Sequence, residues 1–446
     1  MFWKRSAERL YADAAAATPL SNNAMREIMR LLPLYGNAGA LHREGVEAKK
    51  ELERARAAVA KSVGAHADEI IFTASGTEAN NLAIQGVLRP LLREHGELNA
   101  ITCAIEHQSV LEPLHALEDD GVYTTVLPVD SNGLVDPKIL AESINEQTAF
   151  VSIQLVNSEI GTIEPVRGIA KEIRKFRKLR QNSISGYADF SAEKSAEVLA
   201  PALATPSTTV LPLPLLLHTD ASQAPLWLDI QVEKLGVDLM TLDAQKVLGP
   251  KGVGCLYIKR GVPIEPLLWG GKQEQGLRGG TENVPLAGAF AVALADAQKG
   301  VEARTKKVAA VRDYLYAEIK KLLPDAILNG PNLRSDLNSD SPRSDIKSPR
   351  IANNLNISIP GLDAQMAVIA MDAEGIAVST RSACEVGKEE PSHVIQAITA
   401  EVEDSERSRR TGTAIRITLL PDATKSDARR IAETLAKIAK RYRNVL

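Results

Sequence analysis

The sequence predicts an α/β protein with a large, mostly parallel sheet and a smaller α+β domain at the C-terminal end. From about residue 47 to 260, short apolar runs of strand length alternate with stretches of helical periodicity. This alternation is typical of a parallel sheet covered by helices on both faces. After residue 300 the alternation ends, and a long helical stretch leads to two strands and a terminal helix.

Seven strands are predicted for the large sheet, because each is a short apolar run bounded by turn residues. They are residues 69–73, 99–105, 122–127, 149–155, 213–219, 236–241 and 253–258. The intervening helices with the clearest periodicity are residues 47–63, 77–95 and 165–180. The smaller domain is predicted to contain a helix at 301–323, strands at 353–359 and 413–419, and a helix at 424–442.

We expect residues 17–300 to form the large domain, and residues 1–16 together with 301–446 to form the small one. Two segments have the composition of inserted surface loops. Residues 181–210 are rich in Ser, Ala, Thr and Pro, and residues 330–350 are dense in Ser, Asp, Pro and Arg.

Composition excludes several classes of function. The net charge of −3 predicts no polyanion-binding surface, so nucleic acid is not an expected partner. No apolar stretch reaches the length of a membrane span, and the N-terminus lacks an apolar signal core. The three cysteines are an odd number in a long chain, which predicts a reducing cytoplasm rather than a disulfide framework. We predict no metal site.

Lys246 and Asp220 form the most informative pair. Asp220 ends an apolar strand, and Lys246 follows in a segment that turns at Gly249-Pro250. A pyridoxal phosphate enzyme needs a lysine that forms a Schiff base with the cofactor aldehyde, and an aspartate that keeps a proton on the pyridine nitrogen. Taken singly, the lysine is more simply explained as a solvated surface group and the aspartate as a loop cap.

Other polar residues follow predicted strands and would share one edge of the sheet, where α/β proteins bind ligands. They are Thr73, Glu106, Asn157 and Asp220. Gly76 and Thr77 open a helix and are candidate phosphate contacts, although Thr77 alone is better explained as an N-cap. His107 could stack on a planar cofactor or make a loop hydrogen bond. Asn157 and Gln223 could bind the cofactor ring oxygen or tie turns.

Cys384 and Arg416 are candidates near the C-terminus. Cys384 lies near Arg381 and Lys388 and before a charged stretch, residues 385–411, that could swing as a loop. Nearby positive charge favours a reactive thiolate, although an incidental exposed thiol is the alternative. Arg416 lies within an apolar strand, where its charge needs either a bound carboxylate or an internal salt bridge.

Nine segments in order resemble the cysteine desulfurases of the NifS/IscS type, within the class V aminotransferase group of pyridoxal phosphate enzymes. The resemblance covers nearly the whole chain. The segments are Tyr11–Pro19, Gly36–His42, Thr73–Asn81, Glu106-His107, Val156–Gly161, His218–Gln223, Lys246 with Gly249–Gly252, Arg278–Thr281 and Val378–Cys384.

The resemblance implies a dimeric enzyme of fold type I that converts L-cysteine to L-alanine and leaves a persulfide on Cys384. The sulfur would pass to an acceptor protein for iron–sulfur cluster assembly or tRNA thiolation. By position, Lys246 would hold the cofactor and move the proton, and Asp220 would pair with the ring nitrogen. His107 would stack on the ring and assist proton transfer, and Gln223 would contact the ring oxygen. Gly76 and Thr77, with Thr281 across the dimer, would bind its phosphate. Arg416, Asn37 and Asn157 would hold the substrate carboxylate.

Several residues depart from the family pattern. Gln245 stands where a histidine usually precedes the lysine, and Asp243 stands where a serine often contacts phosphate. Because a carboxylate repels phosphate, we expect Asp243 either to point elsewhere or to weaken phosphate binding. Arg381 replaces a glycine before the cysteine, which would lower the pKa of Cys384 or change the motion of its loop. A selenocysteine lyase, an aminotransferase and a non-catalytic scaffold are the alternative functions.

Overall fold

The computed structural model describes residues 9–194, 213–333, 349–380 and 392–443, with the backbone alone for 182–194. The helices are α1 (Asn22–Leu31), α2 (Arg43–Val63), α3 (Gly76–His95), α4 (Gln108–His115), α5 (Pro137–Ser143), α6 (Val166–Lys194), α7 (Val232–Leu235), α8 (Val284–Gln298), α9 (Val301–Leu322), α10 (Ala364–Ala373), α11 (His393–Ile398), α12 (Asp404–Arg410) and α13 (Lys425–Tyr442). The strands are β1 (Leu10–Tyr11), β2 (Ile70–Thr73), β3 (Leu98–Cys103), β4 (Val122–Leu127), β5 (Thr148–Ser152), β6 (Leu216–Asp220), β7 (Leu239–Asp243), β8 (Gly254–Ile258), β9 (Ile327–Leu328), β10 (Asn354–Ser358), β11 (Ile376–Ala377) and β12 (Ala414–Thr418).

The large sheet has seven strands in the order β2-β8-β7-β6-β5-β3-β4. Strands β4, β3, β5, β6 and β7 pair in parallel, while β8 is antiparallel to both β7 and β2. Strand β2 therefore runs in the same direction as β7, and β8 alone in this sheet is reversed. The predicted α/β fold with a mostly parallel seven-stranded sheet is confirmed.

Both faces of this sheet are buried, because successive residues of its central strands enter different apolar clusters. Leu216 and Leu239 belong to one cluster, while their neighbours Leu217 and Met240 belong to the other. Side chains alternate across a strand, so a strand buried on both faces is apolar along its length. This burial explains why the central strands are continuous apolar runs in the sequence.

The C-terminal part forms separate, smaller sheets. Strands β12, β10 and β9 make an antiparallel sheet, and β1 pairs in parallel with β11. Helix α13 packs on α9 and α10. The pairing of β1 with β11 agrees with placing the first residues in the small domain, although the domain boundaries themselves stay predictions.

The predicted local structure was wrong at three places. Helix α2 begins at Arg43, because the His42 side chain accepts a hydrogen bond from Gly45 N and caps it. Helix α6 extends to Lys194, into the segment predicted as an inserted loop. Helices α11 and α12 lie within the charged stretch that was predicted to be a loop.

Residues 195–210 and 334–348 of the two predicted insertions lie outside the described residues. Among the helices the structure describes, none is both long and apolar enough to cross a membrane.

Candidate active site

The carboxyl ends of five strands meet at one edge of the large sheet and bring together residues that are distant in sequence. Thr73, Asp220 and Asp243 end β2, β6 and β7, while Glu106 and Asn157 follow β3 and β5. All five strands run in the same direction. The shared edge that the sequence predicted for Thr73, Glu106, Asn157 and Asp220 is confirmed.

Lys246 lies in a short 3₁₀ turn, Ala244–Lys246, directly after β7. The turn closes tightly, because a Cβ on Gly249 would come within 2.7 Å of the Ala244 carbonyl oxygen. The Lys246 Nζ donates hydrogen bonds to the carbonyl oxygens of Ala15 and Ala16, at 2.8 and 2.6 Å. The backbone therefore holds this half-buried amine in one place.

Gln223 converges on the same point from the loop after β6. Its Nε2 donates to the Ala15 carbonyl oxygen at 2.9 Å, so one backbone oxygen accepts from both Gln223 and Lys246. The structure thus brings together a lysine and a glutamine that the sequence assigned to the same ligand.

Asp220 and His107 are connected through two further side chains. The Nδ2 of Asn80 donates to Asp220 Oδ2 and to Ser109 Oγ, both at 2.8 Å. Ser109 Oγ lies 2.7 Å from His107 Nδ1, which also accepts from Ser109 N. His107 therefore makes the loop hydrogen bond that the sequence offered as one alternative, and Ser109 and Asn80 connect it to Asp220.

Asn80 is a site residue that sequence reasoning missed. It lies in the second turn of α3 and is almost completely buried. Its amide nitrogen must face Asp220, because the reverse orientation would place two acceptor oxygens together. The signal in the sequence was a polar residue on the inner face of an otherwise apolar helix.

The neighbouring histidine on the same strand does not neutralise the charge of Asp220. Burial lowers the pKa of His218, two residues earlier on β6, to about 4, so this histidine is neutral at pH 7. Burial, and then the negative charge of Asp220, raise the pKa of Glu106 well above its usual value, although the bond from Gln154 N opposes the shift. Asp220 can therefore pair with a cation brought by a ligand.

Helix α3 begins at this edge with Gly76 and Thr77. Ser75, not Thr77, is the N-cap, since its side chain accepts from Glu78 N at 3.1 Å. Thr77 is exposed, which leaves its hydroxyl accessible to a ligand. Asp243 does not point elsewhere, because its Oδ2 accepts from Gly76 N at 3.3 Å.

Arg416 lies on β12, where it is buried and makes an internal ion pair. Its Nη2 donates to Asp13 Oδ1 at 2.8 Å, and its Nη1 lies 3.5 Å from the Ser158 carbonyl oxygen. Its buried Nε makes no hydrogen bond among the atoms that the structure describes. The internal salt bridge therefore exists, and one guanidinium donor is left over for a ligand.

The two asparagines predicted near the substrate are placed differently. Asn157 is buried and ties the turn after β5, because its Oδ1 accepts from the backbone of Glu159 and Ile160 and its Nδ2 donates to Ile105 O. Asn37 is exposed and accepts from Gly39 N at 2.8 Å. Among the residues that the structure describes, no hydrogen bond joins the Asn37 side chain to Lys246, Gln223 or Asp220.

Thr281 is exposed on the loop between β8 and α8. Arg278 in the same loop forms an ion pair with Glu78 at 3.1 Å, so the loop contacts the first turn of α3.

Cys384 and Arg381 lie outside the described residues, but the residues on both sides of their segment contact the site. Before it, Ser379 pairs with Arg416 through two backbone hydrogen bonds of 2.6 and 3.1 Å. After it, His393 Nε2 lies 3.0 Å from the carbonyl oxygen of Glu106. One end of the segment is thus attached to β12 at Arg416, and the other end contacts the residue Glu106 after β3.

Comparison with known proteins agrees with this arrangement. The family model for aminotransferase class-V matches residues 10–180 and 214–431. The chain belongs to the class-V aminotransferase family. The match is interrupted between residues 180 and 214, where the sequence predicted an insertion.

Within this family the similarity is to cysteine desulfurases. The chain is 35% identical to the cysteine desulfurase IscS of Dictyoglomus turgidum, over 98% of this chain and 96% of that protein. It is 32% identical to the cysteine desulfurase IscS of Methanosarcina thermophila, over 98% and 93%. A solved structure of a NifS-like protein superposes with a TM-score of 0.78 at 30% identity, over 97% of this chain and 99% of that one. The predicted resemblance to the cysteine desulfurases is confirmed.

Proposed function

We propose that this cysteine desulfurase binds pyridoxal 5′-phosphate at the sheet edge, with Lys246 as the covalent anchor. The observation that carries the proposal is the convergence of Lys246 and Gln223 on one carbonyl, beside the chain of contacts from Asp220 through Asn80 and Ser109 to His107. These groups match the needs of a pyridine ring with an aldehyde, a ring nitrogen and a ring oxygen. When bound, the cofactor supplies a ring that accepts electrons from the substrate Cα.

The residues then have distinct tasks. The Lys246 amine would hold the cofactor through its aldehyde and would move a proton from the substrate Cα. Asp220 holds the proton on the ring nitrogen, and the network through Asn80 fixes the direction of its carboxylate. His107 would stack on the ring and assist proton transfer, and Gln223 would contact the ring oxygen. Asp220 is suited to its task because the buried His218 is neutral at pH 7 and adds no positive charge beside it.

Arg416 would hold the carboxylate of L-cysteine, with Asn157 and Asn37 at that end of the substrate. The Nε of Arg416 makes no hydrogen bond among the described atoms, and this supports the role. A guanidinium has several donors in one plane, so Arg416 can bind a carboxylate while its Nη2 still donates to Asp13. Asn157 would act by keeping the turn after β5 in place.

Cys384 would receive the sulfur. Its thiolate attacks the substrate sulfur, so that an S–S bond forms as the Cβ–S bond breaks. The electron pair of the broken bond stays with the substrate carbon, which takes up a proton and leaves as L-alanine. In sum, L-cysteine and a protein thiol give L-alanine and a protein persulfide. The contacts of Ser379 and His393 support this assignment, because they attach both ends of the Cys384 segment to the site.

We also propose a homodimer that passes the sulfur to an acceptor protein in a reducing cytoplasm, for iron–sulfur cluster assembly or tRNA thiolation. Large apolar side chains are exposed on the loops that carry Asn37 and Thr281, with Tyr35 85%, Leu41 97% and Trp269 79% exposed. Exposed apolar groups of this size are typical of a surface that a partner covers. A second copy there would allow Thr281 to reach the phosphate of its neighbour.

The test is the effect of Cys384→Ala on sulfide release from L-cysteine in the presence of a reductant. We expect the variant to keep the cofactor absorbance of the wild type and to lose sulfide release, because only the acceptor thiol is removed. Cys255→Ala is the matched control, since Cys255 is a buried core thiol on β8 and should leave release unchanged. Full activity in Cys384→Ala would falsify the assignment.

A further inference from the structure

Asp243 places a carboxylate at the start of α3, where the cofactor phosphate would bind. Its Oδ2 accepts from Gly76 N at 3.3 Å, and the residue is 7% exposed. A Cβ on Gly76 would lie 3.2 Å from both Asp243 Cβ and Ser222 Oγ, so these three residues border one small space.

Neighbouring groups hold the Asp243 carboxylate in this direction. The backbone N–H of Gln245 donates to Oδ1 at 3.1 Å, and its side-chain Nε2 donates to Oδ2 at 3.0 Å. Gln245 is itself fixed, because its carbonyl oxygen accepts from both the backbone N–H and the hydroxyl of Thr18, at 2.8 and 2.7 Å. The carboxylate is therefore one part of a set of hydrogen bonds that also positions the Lys246 turn.

The first N–H groups of a long helix bind anions, since they have no partners within the helix. In this chain one of those donors, Gly76 N, already serves the negative charge of Asp243. A phosphate ester carries about −1.5 to −2 charges at neutral pH. A phosphate that enters must compete for the same donor and is repelled by the carboxylate beside it.

We propose that Asp243 reduces the preference of this site for a phosphorylated cofactor. The inference rests on the proposed function and adds that the Asp243 carboxylate opposes the 5′-phosphate of pyridoxal phosphate. Pyridoxal, which has an alcohol in place of the phosphate, does not meet this repulsion. The affinity of the chain for the phosphorylated cofactor therefore exceeds its affinity for pyridoxal by less than it would with a neutral residue at this position.

Equilibrium titration of cofactor-free protein with pyridoxal phosphate and, separately, with pyridoxal tests the inference. Binding is measured by the visible absorbance that depends on Lys246, so no turnover is needed. Asp243→Asn removes the charge and keeps the size of the side chain. We expect it to tighten binding of pyridoxal phosphate by about tenfold or more, while the dissociation constant of pyridoxal changes by less than about twofold.

Asp229→Asn is the matched control, because Asp229 is a half-exposed aspartate that pairs with Lys234 away from the site. We expect this variant to change neither affinity. Asp243→Ser is a second variant that replaces the carboxylate with a small hydroxyl, and it should shift the ratio of the two affinities in the same direction. It keeps the inference testable if Asp243→Asn fails to fold.

The inference is overturned if both Asp243 variants change the two affinities by the same factor, or if they weaken binding of pyridoxal phosphate. Either result would leave the proposed function intact, because Lys246 would still bind the cofactor. If neither the wild type nor the variants show an absorbance that depends on Lys246, the proposed function fails, and the inference fails with it.

Discussion

The two ends of the candidate cofactor site are built in opposite ways. At the ring end, Asp220 is aligned by Asn80, the neighbouring His218 is neutral at pH 7 because burial lowers its pKa to about 4, and burial raises the pKa of Glu106 well above its usual value. At the phosphate end, an aspartate accepts the first N–H of α3. The Asp220 carboxylate at the ring end can therefore pair with a cation of the ligand. At the phosphate end, the Asp243 carboxylate already accepts a hydrogen bond from the start of α3.

Under the proposed function, this difference would let the site keep its chemistry while the attachment of the cofactor changes. In the proposed mechanism the electron-accepting chemistry depends on Lys246 and Asp220, and both side chains make hydrogen bonds within the site. The phosphate only anchors the cofactor, so a loss of affinity there can be balanced by the covalent bond to the lysine. We therefore expect substitutions at the two ends to have different consequences.

The largest effect is expected from Lys246→Ala at the ring end. Because the covalent anchor and the proton carrier are both removed, the visible cofactor absorbance should disappear and turnover of L-cysteine should fall by about 10²–10⁴-fold. Absorbance spectra and an alanine assay check this. Lys251→Ala is the matched control, since Lys251 is an exposed lysine in the segment that follows Lys246. A spectrum of Lys246→Ala indistinguishable from that of the wild type would remove the lysine from its role.

A smaller effect is expected from Asn80→Ala, which breaks the link between Asp220 and Ser109. The cofactor should stay attached to Lys246, while turnover falls by about tenfold because the Asp220 carboxylate loses its aligned donor. The pH dependence of the cofactor absorbance should shift as well. If thermal stability fell but the spectrum and its pH dependence stayed as in the wild type, Asn80 would be a packing residue only.

The smallest effect on the site is expected from Glu164→Gln. This substitution should instead change how the stability of the fold depends on pH. Burial raises the pKa of Glu164 to about 8, above the usual value of 4.5. Between these values the folded protein binds more protons than the unfolded one, so its stability falls as the pH rises. From about pH 5 to 8 the wild type should lose on the order of 2–4 kcal/mol more unfolding free energy than the variant.

Denaturant unfolding at several pH values measures this difference, and Glu172→Gln is the control, because Glu172 forms a surface ion pair with Lys175. Cofactor affinity should be unchanged in Glu164→Gln, since this carboxyl accepts from Val135 N, outside the contacts of Lys246 and Asp220. If the unfolding free energies of wild type and variant changed with pH by the same amount, Glu164 would not titrate in this range.

Much of the fold followed from the sequence, because the strands of the large sheet are buried on both faces and must be apolar. The edge that joins Thr73, Glu106, Asn157 and Asp220 followed too, since parallel strands place their carboxyl ends together. The lysine and the aspartate were found because each follows such a strand.

Other features depend on tertiary contacts that have no local signal. Asn80 was missed because its importance comes from Asp220 and Ser109, which lie on other elements. The direction of Asp243 was uncertain because the Gln245 side chain decides it. The charged stretch before β12 contains two helices, although its composition suggested a loop. Helix α11 buries apolar residues such as Ile395 and Ile398, whereas α12 has no buried residue.

A single-turnover reaction with L-cysteine tests the central claim most directly. The protein, loaded with cofactor and free of reductant, is mixed with L-cysteine, and alanine is measured together with the sulfur bound to each cysteine residue. We predict that alanine and a persulfide on Cys384 form in equal amounts. Alanine without protein-bound sulfur, or a persulfide on another cysteine, would contradict the account.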